Sequence, residues 1–274
     1  MRELKRRRIV RSVIMLALAC IVGFPLYYLV VNTFKTQSEI VESPLALPQS
    51  FYLGNYVDVL RDVPLAQSFG NTLYVTVIAI AVQLLVGSMA AYAMVMRRSA
   101  FNRIVEAALL IAFVVPAQST LIPLYRILVG AGLVDNLNGL VVMYTAGSVF
   151  CYFLIQGYMR TLPFEVIEAA RIDGAGPGRI FWSIVLPLIR PILVTVGVFQ
   201  TMWVWNDFVF PTVFISSPSK QTIVQQIYAS VGEFATDWPS FMTLTVIALI
   251  PMVIFFIFAQ RHIVSGLLAG STKG

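Results

Sequence analysis

Six stretches of this chain stay apolar for long enough to cross a bilayer. A hydrocarbon core of about 30 Å takes about 20 helical residues. Runs at 13–31, 72–96, 104–125, 139–159, 191–214 and 241–260 approach or exceed that length. The pattern predicts an all-α, polytopic membrane protein with six transmembrane helices. It divides into a basic N-terminal segment at 1–12, a membrane body at 13–260 and a tail at 261–274. The first run follows a basic stretch, as a secretory leader would. Its apolar core is too long for one, however, and no small-residue cleavage site follows, so it reads as an uncleaved span.

One polar interruption differs from the others. Residues 161–191 hold Glu165, Glu168, Asp173 and several arginines, too many charges for lipid. Thr161-Leu162-Pro163 reads as a helix start, with a capping hydroxyl and a proline in the first turn. A short helix is predicted over 164–172, with Glu165 and Glu168 near its positive end. Ala169 and Ala170 lack bulk, so a partner surface can approach the backbone closely. Asp173-Gly174-Ala175-Gly176-Pro177-Gly178 breaks the helix, because three glycines and a proline force a turn. Ile180, Phe181, Ile184, Val185 and Leu188 then recur at helical spacing. Pro187 and Pro191 bend the chain into the fifth span. The segment reads as a short helix joined to a transmembrane helix by a fixed elbow. A helix resting on lipid would instead show a basic face and aromatic anchors.

Charge sets the orientation. Of 19 Lys and Arg residues, 15 lie in the N-terminal segment, the second–third loop, the fourth–fifth loop and the tail. Lys35, Arg61, Arg126 and Lys220 are the four on the other side. The bias places both termini and the 161–191 segment in the cytoplasm. It places the irregular segment 32–71 outside, as a lid, a docking surface for an external partner or a solvated connector. Composition agrees: 58% of the chain is hydrophobic and only 12% charged, about half the charge of a soluble domain. The net charge of +6 is accounted for by this loop bias and is no nucleic-acid footprint. Cys20 and Cys151 fall inside apolar runs and read as small buried hydrophobes. A single His262 builds no His-based metal site or proton relay.

Glu168-Ala169-Ala170, Asp173-Gly174-Ala175, Ile184, Leu186-Pro187 and Pro191 together resemble the EAA motif of ABC-importer permease subunits. The resemblance extends along nearly the whole chain. Asn32-Thr33-Phe34-Lys35, Val115-Pro116-Ala117-Gln118 with Leu121-Ile122-Pro123-Leu124-Tyr125, Trp205-Asn206-Asp207-Phe208 with Pro211, and the tail at 266–274 resemble the carbohydrate-uptake branch, in the subunit type of the maltose permeases. That branch more often has Thr at the position of Leu268. The resemblance implies that Glu168, Ala169, Ala170, Asp173, Gly174, Ala175, Leu186 and Pro187 couple the chain to an ATPase. It implies a heterodimer with a second permease, two copies of a cytoplasmic ATPase subunit that bind ATP and Mg, and an extracytoplasmic solute-binding protein. The chain would hold no cofactor and hydrolyse no ATP, in keeping with its lack of a phosphate-binding Gly-x-x-x-x-Gly-Lys-Ser/Thr loop.

A sugar path needs hydrogen-bonding groups and aromatic faces around a wet cavity. Gln83, Gln118, Ser119, Thr120, Tyr144 and Asn206 are the candidates, with Ser148 and Gln200 beside them. Gln118 and Thr120 stand out because Pro116 frees nearby backbone groups. Mid-span polar residues also serve as glue between helices. Asp207 follows Pro191 by sixteen residues, about 24 Å of helix, which puts it near the outer surface, where its charge costs little. The expected activity is ATP-driven import of a sugar or oligosaccharide by alternating access. The rivals are a polyol or glycerol-3-phosphate carried by the same machine, a secondary transporter or channel, and a membrane enzyme. A secondary transporter would carry ionisable groups in mid-membrane, and an enzyme would need a catalytic constellation that the chain lacks.

Overall fold

The computed structural model describes residues 2–97, 99–232 and 236–268, with side chains from residue 8 to residue 260. The described residues are helical and contain only one isolated antiparallel bridge, Val231 to Thr236. Four helices are long and apolar enough to cross a membrane: Arg8–Asn32 within α1 (Arg2–Asn32), α4 (Leu65–Met96), the pair α7 (Leu137–Tyr144) and α8 (Ser148–Met159), and Trp238–Gln260 within α15 (Trp238–Leu268). Two bent pairs raise that number to six if each counts as one span.

Two of the continuous spans that hydropathy predicts are broken. The run at 104–125 is not one helix. Helix α5 (Ala100–Val114) stops, and a short 3₁₀ turn at Ala117–Thr120 leads into α6 (Leu121–Gly130) at 92° to it. Pro116 is the cause: it lacks an N–H and pushes Val115 out of helical geometry, and both residues are extended, with ψ of 122° and 127°. The run at 191–214 also breaks. Helix α12 (Arg190–Trp205) ends, and α13 (Val209–Phe214) starts again after a turn. A continuing helix would need Pro211 to donate to the Asp207 carbonyl, which it cannot do. The Asp207 carboxylate takes the Val209 N–H instead, at 2.9 Å.

The chain forms two compact units. The first comprises Met1–Leu65 and Gln225–Pro251. It holds α1, α2 (Gln37–Glu42), α3 (Gly54–Asp62), α14 (Ile223–Ala229) for the most part, and the start of α15. Its irregular stretch is tied down by polar groups. Lys35 is fully buried and donates to the Ser43 carbonyl at 2.8 Å. Asn32 donates to the carbonyls of Tyr28 and Pro44.

The second unit comprises Ala66–Val224 and Met252–Gly274. Its organising element is α4. The buried positions of that helix are Ser68, Thr72, Val75, Thr76, Ala79, Gln83, Gly87, Ser88 and Ala91, a stripe at helical spacing. Leu73, Tyr74, Val77, Leu85, Val86 and Met89 face outward. Lipid solvates large apolar side chains as well as a protein core does, so small and polar residues take the helix contacts. A Cβ on Gly87 would lie 2.7 Å from the Cys151 Cβ, so only glycine lets α8 come this close. The resulting core joins Ala91, Cys151, Tyr152, Ile155 and Met159 to Ile167, Ala170, Ile180, Val185, Ile189 and Val196.

Candidate functional site

The 161–191 segment is anchored on that core. Helix α9 spans Phe164–Ile172, the residues the sequence pattern indicates. Its start is not capped as expected. Thr161 donates to the Tyr158 carbonyl at 2.8 Å and so closes the preceding helix, while Pro163 takes the cap position of α9 without a side-chain bond. A proline at that place forgoes an N–H that the helix start leaves unpaired anyway.

The end of α9 is a Schellman turn. The Gly174 N–H donates to the Arg171 carbonyl at 3.0 Å and the Ala175 N–H to the Ala170 carbonyl at 2.9 Å. Gly174 has φ of +78°, the left-handed geometry that such a turn requires and glycine adopts freely. Nothing lies within 4 Å of a Cβ built there, so the glycine supplies conformation and not clearance. Ala170 and Ala175 pack into the core together, the apolar contact that accompanies this turn. Ala170 is 9% exposed and belongs to the inner face of α9 with Ile167.

Glu165, Glu168, Ala169, Arg171 and Asp173 are exposed on the outer side. Among them stands Ile172, 86% exposed. It lies three and four residues beyond Ala169 and Glu168, on a face opposite Ile167 and Ala170. The helical period of the buried positions was the signal that could have singled it out.

After the turn, α10 (Pro177–Ile180), a π-helical turn at Phe181–Val185 and α11 (Leu186–Leu188) form one arm. This arm meets α12 at 73°. Ile180, Phe181, Val185 and Ile189 are buried along it, Leu186 is half-buried and Pro187 exposed. Tyr92 on α4 braces the arm, with its hydroxyl donating to the Pro177 carbonyl at 3.1 Å and its ring 5.4 Å from Phe181. The turn at 173–176, the arm and the bend before α12 thus connect α9 to α12 through side chains packed in one core.

The candidate path residues separate into two groups. Gln83 and Tyr144 are bonded to other helices. The Gln83 carboxamide donates to the Tyr144 carbonyl at 2.6 Å and accepts from Gln200 at 2.7 Å. Gln200 also donates to the Gly147 carbonyl, at the end of the 3₁₀ turn at Thr145–Gly147, at 3.3 Å. Three helices are so joined at mid-span. Tyr144 is buried and donates to Asp207 at 2.7 Å, with Trp203 and Phe210 packed edge-on to its ring. Ser148 is buried, its hydroxyl unpaired among the described residues.

Gln118 and Ser119 are exposed and Thr120 is half-buried, all in the turn after Pro116. The Ser119 and Thr120 hydroxyls donate back to the Pro116 and Ala117 carbonyls, each at 2.7 Å. The Gln118 carboxamide makes no such bond among the described residues. Asn206 is exposed and donates to the Met202 carbonyl at 2.7 Å. Of the tail motif, 269–274 lie outside the described residues, as does Arg98. Among the described residues, no three His, Cys, Asp or Glu converge on a metal-sized point.

The second unit thus combines a span broken at a proline with a punctuated helix braced against its core. A solved bacterial ABC transporter that imports the acidic polysaccharide alginate has a chain of this fold, with TM-score 0.82 over 95% of this chain and 98% of its own, at 22% identity. The inward-facing MetNI methionine ABC transporter matches 74% of the chain with TM-score 0.58. Residues 83–268 match the family described as "Binding-protein-dependent transport system inner membrane component", and the chain belongs to that family. It is similar to AmyC of Thermoanaerobacterium thermosulfurigenes, a probable permease of a starch degradation products transport system, with 35% identity over 91% of each chain. It is also similar to the melibiose/raffinose/stachyose import permease MelC of Bacillus subtilis, with 32% identity over 98% of this chain and 99% of that one. The chain is an inner-membrane permease, not an enzyme, and such a permease works with a separate ATPase and another permease subunit.

Proposed function

We propose that this permease imports a sugar or oligosaccharide by alternating access. The observation that carries the cargo class is full-length similarity to permeases named for starch degradation products, for melibiose, raffinose and stachyose, and, at 29% identity, for diacetylchitobiose. The partners of the reading are one further permease, two copies of an ATPase that bind ATP and Mg, and a solute-binding protein on the outer side. The face of α9 that carries Glu165, Glu168, Ala169 and Ile172 docks into the ATPase. Closure of the ATPase pair moves α9, and the braced arm from Pro177 to Leu188 turns α12. Gln118, with Ser119 and Thr120 beside it, lines the path, because the break at Pro116 leaves the Gln118 carboxamide exposed and without a bond among the described residues. Gln83 and Tyr144 hold the wall behind it.

The test is uptake. Deleting the chain should abolish ATP-dependent uptake of labelled oligosaccharide, with wild-type copies restoring it. Uptake that continues without ATP, or without a second permease, would sink the reading. A second cargo has support of its own, since a relative at 27% identity is named for sulfoquinovosyl glycerol. Competition by glycerol glycosides, and none by oligosaccharides, would favour that cargo.

A further inference from the structure

In the first unit, a cleft of about 470 Å³ opens between α2, α3 and the start of α15. Asp58, Asp62 and Asp237 line it, and Arg61 is the single cation among the lining residues. Arg61 is already engaged, 3.2 Å from Asp58 and 2.8 Å from Asp62. A further acceptor stands in the wall. Asn55 lines the cleft and is 7% exposed. Its amide nitrogen is spent on the Thr33 and Lys35 carbonyls, at 2.8 Å each. Its carboxamide oxygen accepts nothing among the described residues.

The walls are fixed. Gln37 accepts from the Trp238 N–H and donates to the Thr236 carbonyl, both at 3.1 Å, which clamps the far wall to α2. Asp237 accepts the Ser240 N–H at 3.2 Å and so caps α15. Lys35 does not line the cleft; it is buried and its ammonium donates to the Ser43 carbonyl.

This lining selects an occupant. It holds three carboxylates against one cation that is already paired, and the Asn55 oxygen is open, so it suits a cationic donor and not a neutral sugar, which would ask for donors as well. The carboxylates do not converge as metal ligands do; they are spread around the cleft. We infer that the cleft receives a lysine or arginine side chain of the solute-binding protein, which seats that protein by charge on this permease. The inference rests on the reading above, in which a binding protein docks on the outer side, where the loop charges place 32–71.

The experiment uses the assembled transporter in lipid nanodiscs, with its binding protein and sugar, and follows ATP hydrolysis against binding-protein concentration. The variant is Asp58→Asn with Asp237→Asn. Asp62 remains to pair Arg61, and asparagine caps a helix as well as aspartate does. The half-saturating concentration should rise at least fivefold with the saturating rate unchanged, and its dependence on salt should flatten. Asp58→Lys should raise it further. A half-saturating concentration equal to wild type overturns the inference. So does a variant that no longer holds its second permease, which would make the cleft a subunit contact. A wild-type assembly that ignores the binding protein overturns the parent reading and this one together.

Discussion

Gly87→Ala tests whether close contact between α4 and α8 holds the core on which α9 rests. The new Cβ would lie 2.7 Å from the Cys151 Cβ, 3.0 Å from the Tyr152 backbone nitrogen and 3.1 Å from the Ser148 carbonyl oxygen. Carbon atoms in contact sit about 3.5–4.0 Å apart, so the helices must separate by about 1 Å. Two of the three obstacles are backbone and cannot rotate away. Overpacking of this kind costs about 1–3 kcal/mol, and about 2 kcal/mol is about thirtyfold in an equilibrium constant. Gly157→Ala is the control, since nothing lies within 4 Å of a Cβ there. Both changes favour helix by up to about 1 kcal/mol, so the difference between the variants isolates the contact. The assay is unfolding of the purified transporter by graded SDS, followed by tryptophan fluorescence, with sugar-stimulated ATP hydrolysis measured in parallel. Gly87→Ala should unfold at lower SDS and lose coupling, while Gly157→Ala should match or exceed wild type. If the two variants behave alike, the packing argument is refuted.

Gly174→Asp should insert normally yet uncouple hydrolysis from uptake, because the left-handed turn costs an ordinary residue about 1–2 kcal/mol; normal uptake would count against the turn. Tyr144→Phe removes the bond to Asp207 and should cost about 1.5–3 kcal/mol in the same SDS titration, with no change meaning that the pair is idle. Asp135 has φ of +52° and accepts bonds from Ser216, Ser217 and Lys220. The Ser217 bonds, ahead of that from Lys220, hold its carboxyl well below its ordinary value of 3.8. A depressed value in the folded state means that the contribution is present at neutral pH, starts to fade below about pH 4 and is lost as pH falls through the folded value. Wild-type amides at 215–220 should therefore stay protected from hydrogen exchange at pH 7. Asp135→Asn should lose that protection at pH 7, and equal protection in both would dismiss the carboxylate's role.

Hydropathy and turn residues are local quantities, and they made the membrane spans and the short helix at 164–172 legible in the chain. Gly174 and its neighbours announce a turn because few backbones other than glycine's adopt positive φ. The broken span at Val115–Pro116 was half legible. The proline was visible, yet hydropathy treats a bent run and a straight one alike, and the 92° angle depends on what α5 and α6 pack against.

The roles of individual polar and small residues were decided by tertiary structure. Ala170 reads as a partner contact until the helix face is known; then it is core, and Ile172 is the exposed neighbour. Gln83 reads only as a polar group in mid-span until Gln200, 117 residues away along the chain, is found bonded to it. A membrane sharpens this division. Large apolar residues are content with lipid or with protein, so composition along the chain decides that a helix crosses the membrane. Which face it turns inward depends on where small side chains allow approach and where polar groups find partners, and those partners lie on other helices.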